Sequence, residues 1–320
     1  MLCKFPTSRH FLITQRTIKK WGRLYSVRTE KNGDGAVILH SDAPRIVRDL
    51  LTPSRISLLD LTLEPYLPPS LQQIRYSETE LPPAYHFLFF PTSTSELDTL
   101  PDGYERHFAP KHPYKRRLWT QGRLEFRNPC IQVGDWADCV ENIERVRHNE
   151  DSTDVWIERQ IRQVPAGTES WPDWSVRELR CLRYLRNIPE GKDDEKTRLF
   201  DLATDFTHRF TPSGLLLTRY SYLTHNFHRI HIDPEYAQNT EKYTDVLVHG
   251  SLSVTFILTI LTRFCISRNE HFHIKSAKYA MYRPLYVNNP ITLTITTTNT
   301  GKKAILWNHK NQKSVECIIS

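Results

Sequence analysis

The most apolar stretch of the chain, Leu252–Phe264, places the strongest constraint on its fold. On a helix, its apolar side chains would cover most of the circumference, so the helix must be surrounded by other structure. The stretch is shorter than the roughly 18–20 apolar residues of a membrane span and contains several threonines, which favours a buried helix. Gly250 stands just before it. We therefore predict a core helix that follows a glycine, and no membrane span.

Strands are predicted on both sides of this helix. Val315, Cys317 and Ile319 alternate with polar residues, as is typical of a strand with one buried face, and the other segments alternate in a similar way. The predicted strands are Leu118–Phe126, Trp136–Arg147, Asp154–Val164, Phe272–Met281, Pro290–Thr298, Lys302–His309 and Ser314–Ile319. A buried helix followed by an antiparallel meander indicates an α+β domain in which the sheet curls round the helix.

The length of 320 residues favours two domains. We predict an N-terminal domain at 45–180 and a C-terminal domain at 200–320, with the charged residues 165–200 as a linker. Residues 45–100 indicate short helices and loops. Their aromatic run, Tyr85–Phe90, is interpreted as core in preference to a ligand-contacting lining.

The net charge of +7 is concentrated in the first residues of the chain. Residues 1–29 carry seven Lys or Arg and no acid, so the rest of the chain is neutral and lacks the basic footprint of a nucleic-acid-binding protein. On a helix, Phe11, Ile18 and Trp21 would share one face, which is the pattern of a mitochondrial presequence. We predict import into the mitochondrial matrix. The alternative is a basic tail on a cytosolic protein.

Three histidines, an asparagine and an aspartate lie within the nine residues His225–Asp233. Histidine titrates near neutral pH and can both take and return a proton, so we interpret the cluster as an acid–base site. A zinc site is a second interpretation, because His225, His228 and His231 are evenly spaced, although neither Cys nor carboxylate completes a familiar ligand set. A third is that the histidines are purely structural.

Gly250 would lie at the N-terminus of the predicted core helix. A helix N-terminus presents unpaired N–H groups and the positive end of a dipole. Glycine leaves room for a ligand carbonyl to approach the backbone. A thioester oxygen bound there would be polarised and its enolate stabilised. The alternative is an ordinary turn into the helix.

A basic cluster lies at the start of the first predicted strand, beside Trp119. Its members are Lys111, Lys115, Arg116, Arg117 and Arg123. We interpret Trp119 and Arg123 as candidate substrate-binding residues, since such a cluster can dock phosphates or an acidic carrier protein. The alternative is a solvated strand edge.

The segment Ser221–Tyr236, which contains H-N-F-H-R-I-H-I-D, followed by Val248-His249-Gly250, resembles the hydratase-2 or MaoC-like family of double-hotdog dehydratases. It resembles in particular their mitochondrial type 2 3-hydroxyacyl-thioester branch. Weaker elements of the family recur in order at Leu81-Pro82-Pro83, Tyr85-His86, Asp102-Gly103, Arg116–Trp119, Gly122-Arg123-Leu124, Val133-Gly134-Asp135, Arg283-Pro284-Leu285 and Asn289-Pro290. The resemblance covers most of residues 50–300.

This resemblance implies an α+β double hotdog, in which two antiparallel sheets are each wrapped around a helix. The first domain would bind the acyl chain and the second would be catalytic. His231 matches the catalytic histidine of the family, and Gly250 matches the glycine whose N–H holds the thioester carbonyl. Asn226 stands where the family has a catalytic aspartate, and an amide cannot accept a proton, so the two-group acid–base scheme does not transfer unchanged. His228 is a second candidate for proton transfer.

The implied enzyme is a hydro-lyase that converts (3R)-3-hydroxyacyl thioesters to trans-2-enoyl thioesters in mitochondrial fatty acid synthesis. His231 would remove the α-proton and could return it to the departing hydroxyl, which Asn226 would orient. Asp233 and His249 are further substrate-binding candidates, and capping of the following turn is an equal interpretation for Asp233.

We expect an acyl carrier protein as partner, no cofactor or metal, and a monomer or homodimer. The alternatives are a CoA-thioester hydratase, a hotdog thioesterase and a non-catalytic acyl-carrier-binding subunit.

Overall fold

The computed structural model describes residues 44–320 except 77–78, 93, 111–112, 129, 165–172, 189–203 and 271. The predicted presequence, residues 1–29, lies outside this part. The strands are β1 Arg45–Leu50, β2 Arg116–Phe126, β3 Trp136–His148, β4 Ser152–Gln163, β5 Val176–Leu185, β6 Phe206–Phe210, β7 Ser276–Met281, β8 Ile291–Thr298, β9 Gly301–Trp307 and β10 Lys313–Ile319. The helices are α1 Pro53–Leu63, α2 Pro69–Gln72, α3 Gly214–Thr224 and α4 Gly250–Ser267.

The strands of the described residues form one sheet in the order β1-β3-β4-β5-β2-β7-β10-β9-β8-β6, with antiparallel neighbours. The β2–β7 pair joins the strands of the first half to those of the second, and Gly122 faces Tyr279 in this pair. A Cβ at Gly122 would collide with the Tyr279 hydroxyl and lie 2.5 Å from the Leu179 carbonyl oxygen, so close packing here requires glycine. The two predicted sheets are therefore continuous, edge to edge.

Helix α4 is the core helix of the second half. It contains the predicted segment Leu252–Phe264 and begins at Gly250, so this prediction is confirmed. By length and composition α4 could cross a membrane, but 78% of its most apolar window is buried within the protein, as expected for the core helix of a folded domain. Arg263, which is 1% exposed, donates a hydrogen bond of 2.8 Å to Asp60 and so ties α4 to α1 of the first half.

The first half has a shorter helix than the second. Its longest described helix is α1, with 11 residues. The aromatic run Tyr85–Phe90 is buried throughout and includes the 3-10 turn Tyr85–Leu88. The ring of Phe87 contacts Trp119 edge-on, with centroids 5.7 Å apart. The burial expected of a core segment is confirmed, but the preference for core over a lining is not, because Phe87, Phe89 and Phe90 also line the cavity described below.

The seven predicted strands are confirmed, with ends shifted by a few residues. The prediction of a linker at 165–200 is wrong in its described part, because Val176–Leu185 forms β5, which pairs with both β2 and β4. The first half therefore extends past the predicted boundary at residue 180. The alternation of β5 was hidden because Glu178 occupies a buried position, where it pairs with Arg180 at 2.6 Å. Strand β1 was likewise not distinguished from its surrounding loops.

Candidate active site

A cavity of about 320 Å³ lies at the N-terminus of α4, with walls from both halves of the chain. The first half contributes β2 and the buried aromatic run, and the second contributes the turn after α3 and the start of α4. Six of the eight predicted site residues line this cavity: Trp119, Asn226, His228, His231, His249 and Gly250. Residues that are separated in the sequence thus meet in one site.

The His231 imidazole is held in its neutral form. It ends a 3-10 turn, Arg229–His231, and its Nδ1 lies 2.9 Å from the carbonyl oxygen of Leu247. Because a carbonyl oxygen can only accept, Nδ1 carries the proton and Nε2 retains a lone pair. Burial and then the nearby His228 lower the pKa of His231 to about 3. At neutral pH its imidazole is therefore unprotonated at Nε2 and can accept a proton.

His249 places His231 beside the start of α4. The two rings stack with centroids 3.8 Å apart and planes 22° apart. His249 is fully buried, and its Nε2 forms a hydrogen bond of 2.9 Å with the Ser221 hydroxyl. Burial lowers the pKa of His249 well below its usual value. The next residue, Gly250, is the first of the helix, so the stack fixes the base close to N–H groups that have no partner within the helix.

Gly250 leaves space at the cavity wall. A Cβ added there would lie 3.5 Å from the Met281 side chain and 3.7 Å from Trp119, which are ordinary contacts. The fold therefore does not require glycine at this position. Its effect is to keep the wall open next to the helix N-terminus, where the macrodipole favours negative charge.

Asn226 shapes the turn that follows α3. His225 ends this helix with a left-handed backbone, φ 51°, and the Asn226 N–H donates to the Ser221 carbonyl at 2.9 Å. The side-chain oxygen of Asn226 accepts from the backbone N–H of His228 at 3.2 Å. The amide nitrogen is the part of this side chain that can donate to a ligand.

His228 is a second neutral imidazole in the wall. Its ring is perpendicular to that of His231, with centroids 5.6 Å apart. Its Nε2 lies 3.8 Å from Asp102 and 3.6 Å from Glu241. Burial, followed by the charge of Arg117, lowers the pKa of His228 to about 3, while Asp102 opposes this shift. The site thus contains two adjacent unprotonated histidines rather than a histidine and a carboxylate.

Asp233 does not line the cavity. Its carboxylate pairs with Arg229 at 2.8 Å and accepts from the backbone N–H of Tyr236 at 3.0 Å. This is the turn-capping alternative, and the substrate-binding interpretation is not supported by its position.

Arg123 is also absent from the cavity wall. Alternation along β2 buries its neighbour Leu124 and turns Arg123 to the other face, where its 43% exposed side chain pairs with Glu125 at 2.6 Å. Its position fits the solvated-strand alternative. In a regular strand Trp119 and Arg123 would share a face. The register of the β2–β5 pair shifts between Trp119 and Gln121, and this irregularity explains why Trp119, but not Arg123, reaches the site.

Charged residues at the site were missed from the sequence. Asp102 accepts a 2.8 Å hydrogen bond from the Arg229 N–H through its carbonyl oxygen, and its carboxylate pairs with Arg117 at 2.9 Å. Gly103, with φ 81°, lies against the Phe227 carbonyl, where a Cβ would collide. Asp102-Gly103 carried the family resemblance but was given no role, and Arg116-Arg117 was interpreted only as part of a basic cluster for docking phosphates or a carrier protein. Glu241 had no signal in the sequence.

The histidine cluster does not converge as a zinc site would. Across the described residues, no group of three or more His, Cys, Asp or Glu side chains is arranged to hold a metal ion. His225 is exposed, whereas His228 and His231 are buried. The three histidines therefore do not form one buried ligand set.

Solved structures with low sequence identity show the fold. HtdX of Mycobacterium tuberculosis has a TM-score of 0.59 at 14% identity, over 86% of this chain and 99% of that one. A conserved hypothetical protein of the same organism, described as having a double hotdog fold, has a TM-score of 0.51 at 11% identity, over 87% of this chain and 96% of that one. The fold is an α+β double hotdog, and that prediction is confirmed.

Closer relatives show the family. The family model for hydroxyacyl-thioester dehydratase type 2 matches residues 84–287. The mitochondrial hydroxyacyl-thioester dehydratase type 2 of Saccharomyces cerevisiae is 30% identical over 256 residues, which cover 78% of this chain and 86% of the relative. Its counterpart in Schizosaccharomyces pombe is 27% identical over 276 residues, 79% of this chain and 90% of the relative. The chain belongs to the hydroxyacyl-thioester dehydratase type 2 family, so the predicted family and hydro-lyase class are confirmed.

Proposed function

We propose that the chain dehydrates (3R)-3-hydroxyacyl groups carried on an acyl carrier protein, as a step of fatty acid synthesis in the mitochondrial matrix. The family and the mitochondrial relatives support dehydration and the organelle. The observation that carries the proposal is the neutral His231, with its Nδ1 bound by Leu247 and its ring stacked beside the start of α4.

The catalytic step uses the helix start and the imidazole together. The Gly250 N–H binds the thioester carbonyl oxygen, which acidifies the neighbouring carbon and stabilises the developing enolate. His231 Nε2 removes the α-proton, and the hydroxyl leaves from the next carbon. The Asn226 amide donates to that hydroxyl and orients it. No residue in this scheme has to ionise before the substrate binds.

The acyl chain would lie against the aromatic and aliphatic wall of the first half. This wall includes Phe87, Phe90, Leu118 and Trp119. Side chains of this kind bind a hydrocarbon by excluding water from it. Their position supports the role of the first half in acyl-chain binding, while Asp102 and Arg117 add charge close to the catalytic segment.

Replacement of His231 tests the proposal. The His231→Ala variant should lose roughly 10²–10⁴-fold in kcat, because that is the usual contribution of a positioned proton acceptor. The rate is followed by absorbance of the enoyl thioester, with free thiol measured in parallel. His309→Ala is the matched control, since His309 lies on an exposed turn and should retain full activity.

An active His231→Ala enzyme with a wild-type rate would contradict the assignment. Release of thiol without enoyl product would indicate a thioesterase instead. The partner is tested by comparing the dehydration rate of the same 3-hydroxyacyl group attached to the carrier protein and attached to CoA. A higher rate with the CoA thioester would contradict the carrier proposal.

A further inference from the structure

A buried ionic cluster connects His228 to the first half of the chain. Asp102 and Glu241 approach Nε2 of His228 from two elements, at 3.8 and 3.6 Å. Arg117 pairs with Asp102 at 2.9 Å. Arg116 lies 3.6 Å from the Glu241 carboxylate and also donates to the Glu241 carbonyl oxygen. The strand β2 thus supplies both cations of a cluster whose histidine belongs to the catalytic segment.

Several buried atoms of this cluster have no hydrogen-bond partner within the described part of the chain. They are Nε2 of His228, Oε2 of Glu241, Nε of Arg116 and Nη1 of Arg117. Buried polar groups are normally paired, and leaving them unpaired costs stability. Four such atoms, one on the histidine and three on its neighbours, indicate a cluster kept for chemistry rather than for stability.

The reaction requires a proton donor for the departing hydroxyl, and the step carried out by His231 and Gly250 does not include one. A departing hydroxide is a poor leaving group, so the oxygen has to be protonated as the bond breaks. Asn226 has no titratable proton, and His231 is occupied with the α-proton. We propose that Glu241 and His228 form this donor as a relay, with Glu241 as a positioning residue behind the catalytic His228. The inference rests on the proposed dehydratase function.

The relay balances in protons and electrons. His231 takes the proton from the α-carbon, and the electron pair of that C–H bond forms the new double bond. The bond between the β-carbon and oxygen breaks, and the oxygen takes the proton from Nδ1 of His228 and leaves as water. Glu241 passes its own proton to Nε2 of His228. Solvent then returns one proton to Nδ1 of His228, the Nε2 proton goes back to Glu241, and His231 loses its proton to solvent.

The geometry favours Glu241 over Asp102 as the proton source. The Oδ2 of Asp102, which is its atom nearest His228, is engaged by Arg117 at 2.9 Å. The Oε1 of Glu241 faces His228, and the other oxygen, Oε2, lies 3.6 Å from Arg116, beyond a close ion pair. Burial raises the pKa of Glu241 to about 7, although the charge of Arg116 opposes the shift, so the protonated form persists near neutral pH. The titratable and charged groups around Glu241 are Arg116, Arg117, Asp102, His228, Tyr236 and Tyr243.

The separation of 3.6 Å between Glu241 and His228 is longer than a hydrogen bond. Such distances in ligand-free sites commonly shorten when the substrate binds. His228 and His231 line the same cavity with ring centroids 5.6 Å apart. One imidazole can therefore face the α-proton while the other faces the hydroxyl on the adjacent carbon.

Replacement of Glu241 by glutamine tests the relay. Glutamine keeps the shape but cannot give up a proton, so the Glu241→Gln enzyme should lose about 10²-fold in kcat with KM within about twofold. The wild-type dehydration rate should fall as pH rises through about 7, because Glu241 must be protonated, and this limb should be absent in the variant. Glu235→Gln, an exposed position before the same turn, is the control and should keep the wild-type profile.

A second measurement separates the relay from the base. Exchange of the α-protons of a saturated acyl thioester in D2O needs His231 but no leaving group, so it should persist in Glu241→Gln and in His228→Gln. Thermal unfolding measures whether both variants fold. If Glu241→Gln does not fold, the same rate and exchange measurements on His228→Gln test the relay. Unchanged kcat and pH dependence in Glu241→Gln would overturn the relay alone. A wild-type enzyme that forms no enoyl thioester would overturn the proposed function as well.

Discussion

The protonation state of single side chains decides what this site can do. The Leu247 carbonyl fixes the proton of His231 on Nδ1, and the stacked ring of His249 prevents the imidazole from turning. Burial keeps His228 and His231 uncharged at neutral pH. The substitution of an amide for the expected aspartate at Asn226 is thereby compatible with proton transfer, because a second imidazole stands within the same wall.

Gly250 allows function and stability to be separated at one residue. We predict that Gly250→Ala folds with unchanged or slightly higher stability, since alanine is favoured over glycine in a helix by up to about 1 kcal/mol. The added methyl would narrow the wall beside Trp119, so kcat/KM should fall by about tenfold or more, towards the loss seen when an oxyanion donor is removed.

Urea unfolding and steady-state kinetics measure the two quantities. Gly214→Ala is the control, because it is the first residue of α3 and an added Cβ there meets nothing within 4 Å. Equal kcat/KM in Gly250→Ala and Gly214→Ala would show that Gly250 does not contribute to the site.

The sequence identifies part of the candidate site and not the rest. The spacing of His228 and His231 and the glycine before an apolar run predicted proton chemistry beside a helix start, because these signals are local. The roles of Asp102 and Glu241 could not be predicted, because a carboxylate acquires its role from partners that are distant in the chain. Asp233 is the opposite case. Its carboxylate lies within the motif, but it accepts a hydrogen bond from the Tyr236 N–H of its own turn and does not line the cavity.

At the scale of secondary-structure elements, buried charged residues determine which strands can be predicted from the sequence. Strand β5 places Glu178 at a fully buried position, where Arg180 and Arg159 neutralise it. Such a strand looks solvent-exposed in the sequence and was interpreted as a linker. In contrast, α4 is apolar on most sides and β8 alternates apolar residues with threonine, so both were predicted from their local patterns.

The contact between α4 and α1 should be a major source of stability. Asp60→Ala would leave the buried Arg263 without its carboxylate and the Tyr85 hydroxyl without its acceptor. Because Arg263 is buried while Asp60 is 23% exposed, we predict a loss of roughly 1–3 kcal/mol in the free energy of unfolding, the usual cost of leaving a buried donor without its acceptor.

Chemical denaturation tests this estimate against Asp173→Ala. Asp173 pairs with Arg127 at 2.6 Å on the surface, where both side chains are at least half exposed, and its loss should cost less than about 1 kcal/mol. Similar losses in the two variants would show that the α1–α4 ion pair is not important for stability.

At the scale of the whole molecule, the buried histidines couple stability to pH. Unfolding exposes His228 and His231, whose pKa then rises from about 3 to near the usual 6.5, so the unfolded chain binds more protons below that pH. Stability should therefore fall as pH drops from about 6.5 towards 3. At pH 5 the expected loss is about 2 kcal/mol for each histidine.

Urea unfolding at pH 7.5 and pH 5 measures this loss. Glu241 acts in the opposite direction between about pH 7 and 4.5, because burial raises its pKa and the folded state holds its proton. The double variant, His228→Gln with His231→Gln, lacks both titrating histidines. Its free energy of unfolding should therefore fall less between pH 7.5 and pH 5 than that of the wild type. An equal loss in both proteins would contradict the prediction.

The continuous sheet has a further consequence for the behaviour of the chain in concentrated solution. Two separate sheets would present four strand edges, each able to pair with another molecule, whereas in the described part of this sheet only β1 and β6 are terminal. Both are short, with six and five residues, and both carry charge, at Arg45, Arg48, Asp49 and Arg209. Short, charged borders resist intermolecular strand pairing. Because both halves belong to one chain and share one sheet, fewer strand edges are available for aggregation. The same arrangement brings the two walls of the cavity together.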